Sequence, residues 1–255
     1  MANKSLGQHW LDDTESLEAI TEYAQIKSSD TVLEIGPGLG SLTRYLVNQA
    51  RHVIAVELDQ ELAAQLPVRV PAGNLNVAQA DIMSFNLDEL PAGYKVVANI
   101  PYYLTSNLLR RLAEAANPPK LMVLLVQKEV AERICAAPGQ MSLLGVSVQL
   151  YYRAELGMVV SRKLFAPPPK VDSQAVILTR HTKPLFKELD SQKFFQLVKA
   201  GFSERRKKLR GSLSGGLGIS KAEADQLLEK AGINGDLRAQ NLTLQEWHNI
   251  YKQLS

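Results

Sequence analysis

Apolar residues in this chain come first as short unbroken runs and later as spaced stripes. Residues 31–35, 52–57, 75–78, 95–98 and 121–127 are runs rich in β-branched side chains, with helical patterns between them. Near-continuous segments such as VVA and LMVLLV predict strands buried on both faces. That means a parallel sheet covered by helices, the doubly wound α/β arrangement. Two further strand-like runs, 144–152 and 175–180, are separated by the proline-rich stretch 165–170 instead of a helical pattern. They predict an antiparallel hairpin that closes the sheet.

From about residue 185 the pattern becomes helical only. Val198, Phe202, Leu209 and Leu213 are spaced as one apolar stripe, with basic residues between the anchors. Gly211, Gly215, Gly216 and Gly218 then interrupt the helix. Ser220 with Glu223 three residues later predicts a capping box at the start of the next one. The boundary falls between an α/β domain over 1–183 and a small all-helical domain over 184–255.

Composition narrows this picture. A single cysteine, Cys135, excludes an internal disulfide and a Cys-rich metal site, fits a reducing compartment, and reads as a small buried apolar residue on a helix. The opening residues MANKSLGQHWLDD hold no apolar core of signal-peptide length, and no later stretch reaches the length of a membrane span. A soluble, monomeric, cytoplasmic protein without a membrane partner is expected. The net charge of +3 is unevenly spread: residues 181–255 carry 13 Lys/Arg against 8 Asp/Glu, and residues 1–180 carry 16 against 18. Arg205, Arg206, Lys207, Lys208 and Arg210 concentrate that excess, the footprint of a phosphate-backbone contact or simply of a solvated face.

The chemistry is written in two motifs. In E-I-G-P-G-L-G, Gly36, Gly38 and Gly40 alternate after a strand and before a helix, and Ser41 stands where a dinucleotide fingerprint would need its last glycine. That spacing argues against NAD or FAD. It suits a cofactor lacking a pyrophosphate, whose amino-acid moiety lies against bare backbone, as in S-adenosyl-L-methionine. Glu57 ends the second strand 21 positions after Gly36, where a carboxylate can accept from both ribose hydroxyls. In Q-A-D-I-M, Asp81 can accept from an adenine amine while Ile82 packs on the ring.

The second motif is Asn99-Ile100-Pro101-Tyr102 at the end of the fourth strand. An adenine N6 amine is a poor nucleophile because its lone pair is delocalised into the ring. An Asn99 side-chain oxygen and a neighbouring backbone carbonyl can accept its two hydrogens and align the pair with a sulfonium methyl. Pro101 fixes the turn and Tyr102 offers a face for a flipped-out base. No strong general base is required, because the amine becomes far more acidic as it takes on the methyl group. Phe165, heading FAPPPKVDS, is either a second aromatic wall or an ordinary hydrophobic anchor.

At these residues the chain resembles the KsgA-type ribosomal RNA adenine N6-dimethyltransferases, part of a superfamily shared with the Erm enzymes. The resemblance runs almost end to end. It covers the leader from Lys4 to Leu11, EIGPGLG, Glu57, QADIM, NIPYYLTS, QKEVAERI, FAPPPKVDS and FSERRKKLRGSL, in order. It implies a Rossmann-like class I methyltransferase sheet. It also implies that His9, Leu11, Gly36, Glu57, Asp81 and Asn99 contact S-adenosyl-L-methionine and that Asn99, Tyr102 and Phe165 handle the adenine. Lys4 belongs to the basic leader. The leader departs from the family in His9, where Asn is common, and Trp10, where Phe is usual.

The segment Leu237-Arg238-Ala239-Gln240-Asn241-Leu242 resembles a motif of the small-subunit branch. That branch implies, as substrate, two adjacent adenosines in a hairpin loop near the 3′ end of small-subunit rRNA, and a role in small-subunit biogenesis. A single-stranded loop lets its bases be splayed into a pocket at low cost. An Erm-like enzyme of large-subunit rRNA and a non-catalytic assembly or transcription factor on the same fold stay open as alternatives.

Overall fold

The central apolar runs pair side by side because they are too hydrophobic for either face to meet water, while the run at 75–79 takes the sheet edge with Asn76 and Gln79 exposed. The computed structural model describes residues 8–204 and 206–254. In chain order its elements are β1 (Trp10–Leu11), α1 (Thr14–Tyr23), β2 (Thr31–Ile35), α2 (Ser41–Gln49), β3 (His52–Glu57), α3 (Gln60–Arg69), β4 (Leu75–Gln79), β5 (Lys95–Asn99), α4 (Thr105–Glu114), β6 (Leu121–Gln127), α5 (Lys128–Ile134), α6 (Leu143–Gln149), β7 (Tyr152–Val160), β8 (Phe165–Ala166), β9 (Ser173–Arg180), α7 (Ser191–Phe202), α8 (Leu209–Leu217), α9 (Lys221–Lys230) and α10 (Leu244–Tyr251).

Seven strands form one sheet in the order β4-β3-β2-β5-β6-β9-β7, parallel from β4 through β6 and antiparallel at β9 and β7. The predicted doubly wound sheet and its closing hairpin are both present. Strand order reverses between β2 and β5, the topological switch point where open α/β sheets bind ligands beyond their carboxyl ends. At the opposite end Lys95 is buried and donates to the carbonyls of Ala24 and Gln25 and to Asp30, which Lys120 also holds. Burial alone would raise the Asp30 carboxyl, but the two ammonium groups outweigh it and keep the group well below the usual range.

The chain divides into two compact units. One runs to Glu132 and resumes over Tyr152–Arg180; the other combines Arg133–Tyr151 with the chain from His181 onward. The expected boundary at 183/184 therefore misses a segment. Residues 144–152, read as a strand, are mostly helix α6, capped by Ser142, whose hydroxyl accepts from the Gly145 amide. Met141, Val146 and Leu150 are buried with Phe194, Val198 and Trp247 in the core of the second unit. Packing of that face overrides the strand propensity of V-S-V-Q-L-Y-Y. The hairpin's first strand is instead β7.

The apolar stripe of the helical region is carried by two helices. Val198 and Phe202 lie on α7, Leu209 and Leu213 on α8, and the chain breaks between them. Gly211, Gly215 and Gly216 lie inside α8, and Gly218 caps its end. The Ser220–Glu223 capping box forms as expected. Cys135 follows α5 instead of lying on it and is half-buried. No helix among the described residues is long and apolar enough to cross a membrane.

Candidate functional site

A cleft opens at the carboxyl ends of the central strands. Gly36 and Gly38 line it from the turn after β2, Glu57 from the end of β3, and Asp81 with Ile82 from the turn after β4. Asn99, Pro101 and Tyr102 line it from the end of β5, and the leader adds His9 and Leu11. Phe165 is not among the lining residues. Its β8 strand pairs with β1, setting Phe165 opposite Leu11, and the ring is 4% exposed in the hydrophobic core. Its role in this structure is the hydrophobic anchor, because the strand pairing turns the ring inward. Lys4 and Arg205 lie outside the described residues.

The glycine turn is built for close approach. Gly40 has φ +84°, and a Cβ there would meet Val70 at 2.8 Å and Leu66 at 2.9 Å, so the turn admits no side chain at this point. Gly36 has φ +66° with no atom within 4 Å of a Cβ position, leaving bare backbone on the cleft. Helix α2 starts at Gly40 without a side-chain cap, so its first amides stay available at the cleft, where Ser41 and Leu42 line the wall.

Carboxylates dominate the electrostatics. Glu57 is buried and accepts from the amides of Gly38 (3.1 Å) and Asp59 (3.0 Å), tying the glycine turn to the end of β3 with lone pairs to spare. Asp81 is exposed, and one oxygen accepts from the Met83 amide at 2.8 Å. The third acid, Glu34, sits in β2 and also lines the cleft. Its Oε2 is buried and has no hydrogen-bond partner among the described residues. Burial pushes its carboxyl up to about 8, with the Thr43 hydroxyl opposing the effect and the Glu57 charge adding to it. Sequence reasoning misses Glu34, although an acid in the middle of the apolar strand T-V-L-E-I is a signal.

Three carboxyl groups line the cleft, and among the described residues no Lys or Arg does. That donor set fits a cation-bearing ligand and repels a pyrophosphate. S-adenosyl-L-methionine, with an ammonium and a sulfonium, meets this test: the glycine turn and α2 amides suit its carboxylate, and Glu34 and Glu57 suit its positive and hydroxyl groups.

The Asn99–Tyr102 loop is held from two sides. The Asn99 Nδ2 donates to the His9 carbonyl at 3.1 Å. A carbonyl oxygen only accepts, so the amide nitrogen must face it, which leaves Oδ1 as the free acceptor. The His9 ring stacks on Tyr102 at 5.8 Å between centroids and donates from Nδ1 to the Pro167 carbonyl. The Tyr102 hydroxyl pairs with the hydroxyl of Ser173 at 2.8 Å. Burial raises the Tyr102 phenol above its ordinary value, so it stays protonated.

The basic run is partly neutralised within its own unit. Lys207 pairs with Glu204, Lys208 with Asp236, and Arg210 with both Asp225 and Asp236. Arg206 is exposed and makes no ion pair among the described residues. In the first unit Arg162, Lys163 and Lys170 are exposed and likewise unpaired among the described residues. Arg162 donates through its guanidinium to the Lys170 carbonyl and through its amide to Asp172, the neighbour of Ser173. Sequence reasoning misses this second cationic group, because its members are spread along a proline-rich loop.

The whole chain, residues 1–255, matches the family described as ribosomal RNA adenine dimethylase. It is 43% identical over 250 residues to the ribosomal RNA small subunit methyltransferase A of Dehalococcoides mccartyi, covering 96% of this chain and 86% of that protein. To the protein of the same name from Bacillus cereus it is 36% identical over 264 residues, covering 98% and 90%. Its structure is similar to a dimethyladenosine transferase from Plasmodium falciparum, with TM-score 0.82 and 28% identity over 95% of this chain and 96% of that one. It is also similar to the 23S rRNA methyltransferase ErmE, with TM-score 0.77 and 28% identity over 96% and 99%. The likeness extends from the glycine turn through the helical unit at identities beyond those of a shared fold alone, and the chain belongs to the ribosomal RNA adenine dimethylase family.

Proposed function

We propose that this protein dimethylates N6 of two adjacent adenosines in the 3′-terminal hairpin loop of small-subunit rRNA, in the cytoplasm, as a monomer, as a step of small-subunit biogenesis. S-adenosyl-L-methionine supplies the methyl group as an electrophilic sulfonium carbon. Relatives at 36–43% identity carry the small-subunit name, which favours that RNA over the large-subunit target of ErmE.

The observation that carries the chemistry is the orientation of Asn99. With Nδ2 committed to the His9 carbonyl, Oδ1 accepts one N6 hydrogen, and a carbonyl of the same turn accepts the other. The nitrogen lone pair then lies perpendicular to that plane, toward the cofactor side of the cleft. Tyr102 stacks on the base in the place where the His9 ring now rests. Glu57 and Asp81 hold the cofactor's ribose and adenine, and Gly36, Gly38, Ile82, His9 and Leu11 shape its seat. Each N–C bond forms as an S–CH3 bond breaks, its electron pair staying on sulfur as a neutral thioether, and the nitrogen loses one proton to water.

The first unit holds cofactor and base, and the helical unit adds RNA-backbone contacts through Arg206 and its neighbours. Arg162, Lys163 and Lys170 supply further phosphate contacts from the catalytic unit, since their charge is not spent on internal acids.

The test is transfer of labelled methyl groups to small and large ribosomal subunits from cells lacking this activity, with mapping of the modified nucleoside. Dimethyladenosine in the small-subunit 3′ hairpin is the expected result. Label in the large subunit would replace the reading with an Erm-like one, and no label would make the protein a non-catalytic factor.

A further inference from the structure

We propose that Ser173 is a positioning residue for methyl transfer: it acts through the hydroxyl of Tyr102 to hold the stacking ring face-on to the target base. This rests on the adenine-methylating reading and adds to it a residue outside both sequence motifs of the cleft.

Ser173 is the first residue of β9 and is fully buried. Its backbone position is fixed on both sides, opposite Gln127 of β6 and Val160 of β7. The Ser173 hydroxyl therefore cannot wander, and it pairs with the Tyr102 hydroxyl at 2.8 Å. Tyr102, in contrast, sits in a short 3-10 turn with no side-chain cap and is only half-buried. Without that bond the ring would be free to pivot about χ1 and χ2, held only by its stacking on the His9 ring. Pinning the phenol oxygen at the far end of the ring removes that freedom without covering either face, one of which the His9 ring now stacks on. An aromatic platform needs this, because stacking energy depends on ring orientation and not merely on ring presence. The same bond links the Asn99–Tyr102 loop to the start of β9, the strand that follows the 165–172 loop.

The experiment is a double-mutant cycle on methyl transfer to small subunits, with Ser173→Ala, Tyr102→Phe, the double variant, and Ser173→Thr as the hydroxyl-retaining control. Loss of one neutral hydroxyl–hydroxyl bond should lower kcat about fivefold in either single variant. The donor dissociation constant and melting temperature should stay near wild type. Because Ser173 acts only through the Tyr102 hydroxyl, the double variant should be no slower than either single one, and Ser173→Thr should restore turnover.

Independent, multiplying effects would assign Ser173 to plain packing and overturn the proposal. So would full turnover in Tyr102→Phe, which tests the same bond from the less buried side should Ser173→Ala fail to fold. Failure of the underlying reading is a different result: wild-type protein that labels no small subunit.

Discussion

The side-chain amide of Asn99 donates to the main-chain carbonyl of His9, 3.1 Å away and 90 positions earlier in the chain. A residue of the leader thus orients the Asn99 amide, engaging Nδ2 and leaving Oδ1 to accept. Asn99→Asp would set carboxylate oxygen against carbonyl oxygen and lose this bond. An acceptor left without its donor costs about 1–3 kcal/mol, so transfer should fall by ~5- to 150-fold while the protein still melts cooperatively. Single-turnover methyl transfer, with donor affinity measured in parallel, checks this; wild-type turnover in the variant would remove Asn99 from the base site.

Glu34 gives a pH prediction. Its carboxyl, ordinarily at 4.5, is pushed up to about 8 in the folded protein without ligand. The folded state therefore holds a proton that the unfolded state releases, a contribution complete below about 4.5 and lost as pH rises through about 8. Ligand-free protein should lose melting temperature between these values more steeply than Glu34→Gln. A cation-bearing donor favours the ionised carboxylate, so donor binding at neutral pH should expel a proton. Calorimetry in buffers of different ionisation enthalpy would detect it, and equal proton release by Glu34→Gln would exclude Glu34 as the source.

Glu57→Ala removes the acceptor for the Gly38 and Asp59 amides as well as the expected ribose contact. Donor affinity should drop by roughly 10-fold or more, since hydrogen bonds to charged groups contribute ~1.5–3 kcal/mol. Equilibrium dialysis with labelled donor measures it directly; unchanged affinity would take Glu57 out of the cofactor site.

The two cationic groups should differ in their salt signatures. Replacing Arg162, Lys163 and Lys170 with Gln should flatten the dependence of RNA affinity on salt by ~0.7–0.9 for each phosphate that is no longer neutralised. Replacing Lys207 and Lys208, which already face Glu204 and Asp236, should flatten it less. Filter binding across a salt series separates the two, and identical slopes would mean that internal ion pairing does not matter for RNA binding.

Gly216 offers a stability test in the helical unit. A Cβ there would lie 2.5 Å from the Ala200 Cα and 2.8 Å from its carbonyl oxygen, where α7 and α8 cross. Gly216→Ala raises helix propensity but forces the helices apart, and overpacking at ~1–3 kcal/mol outweighs ~1 kcal/mol of propensity. The variant should melt lower, and a higher melting temperature would show that the crossing can relax.

The contrast at Gly216 marks what is legible in the sequence and what is not. Buried parallel strands, the glycine turn and the Ser220–Glu223 box are local, and each is readable from a few adjacent residues. Gly216 reads locally as a helix breaker, whereas its reason lies on another helix. The same holds for Leu144–Gln149, strand-like in composition but helical because its apolar face meets Phe194 and Val198. It holds for Phe165, turned inward by pairing with the leader, and for Arg210, whose charge is taken up by acids 15 and 26 positions downstream. Glu34 is visible as an anomaly, but the burial of its Oε2 is a property of the packed cleft alone.

The helical unit is assembled from two stretches of chain with the β7–β9 hairpin between them. During synthesis, α6 emerges with Met141, Val146 and Leu150 bare, and α7 follows only after the whole hairpin has been made. At ~5–20 residues per second that leaves an apolar helix waiting for seconds in the open, a window for capture by a chaperone or for misassembly between nascent chains. An autonomous fragment of the helical unit would accordingly need Arg133–Tyr151 supplied as part of a rearranged polypeptide.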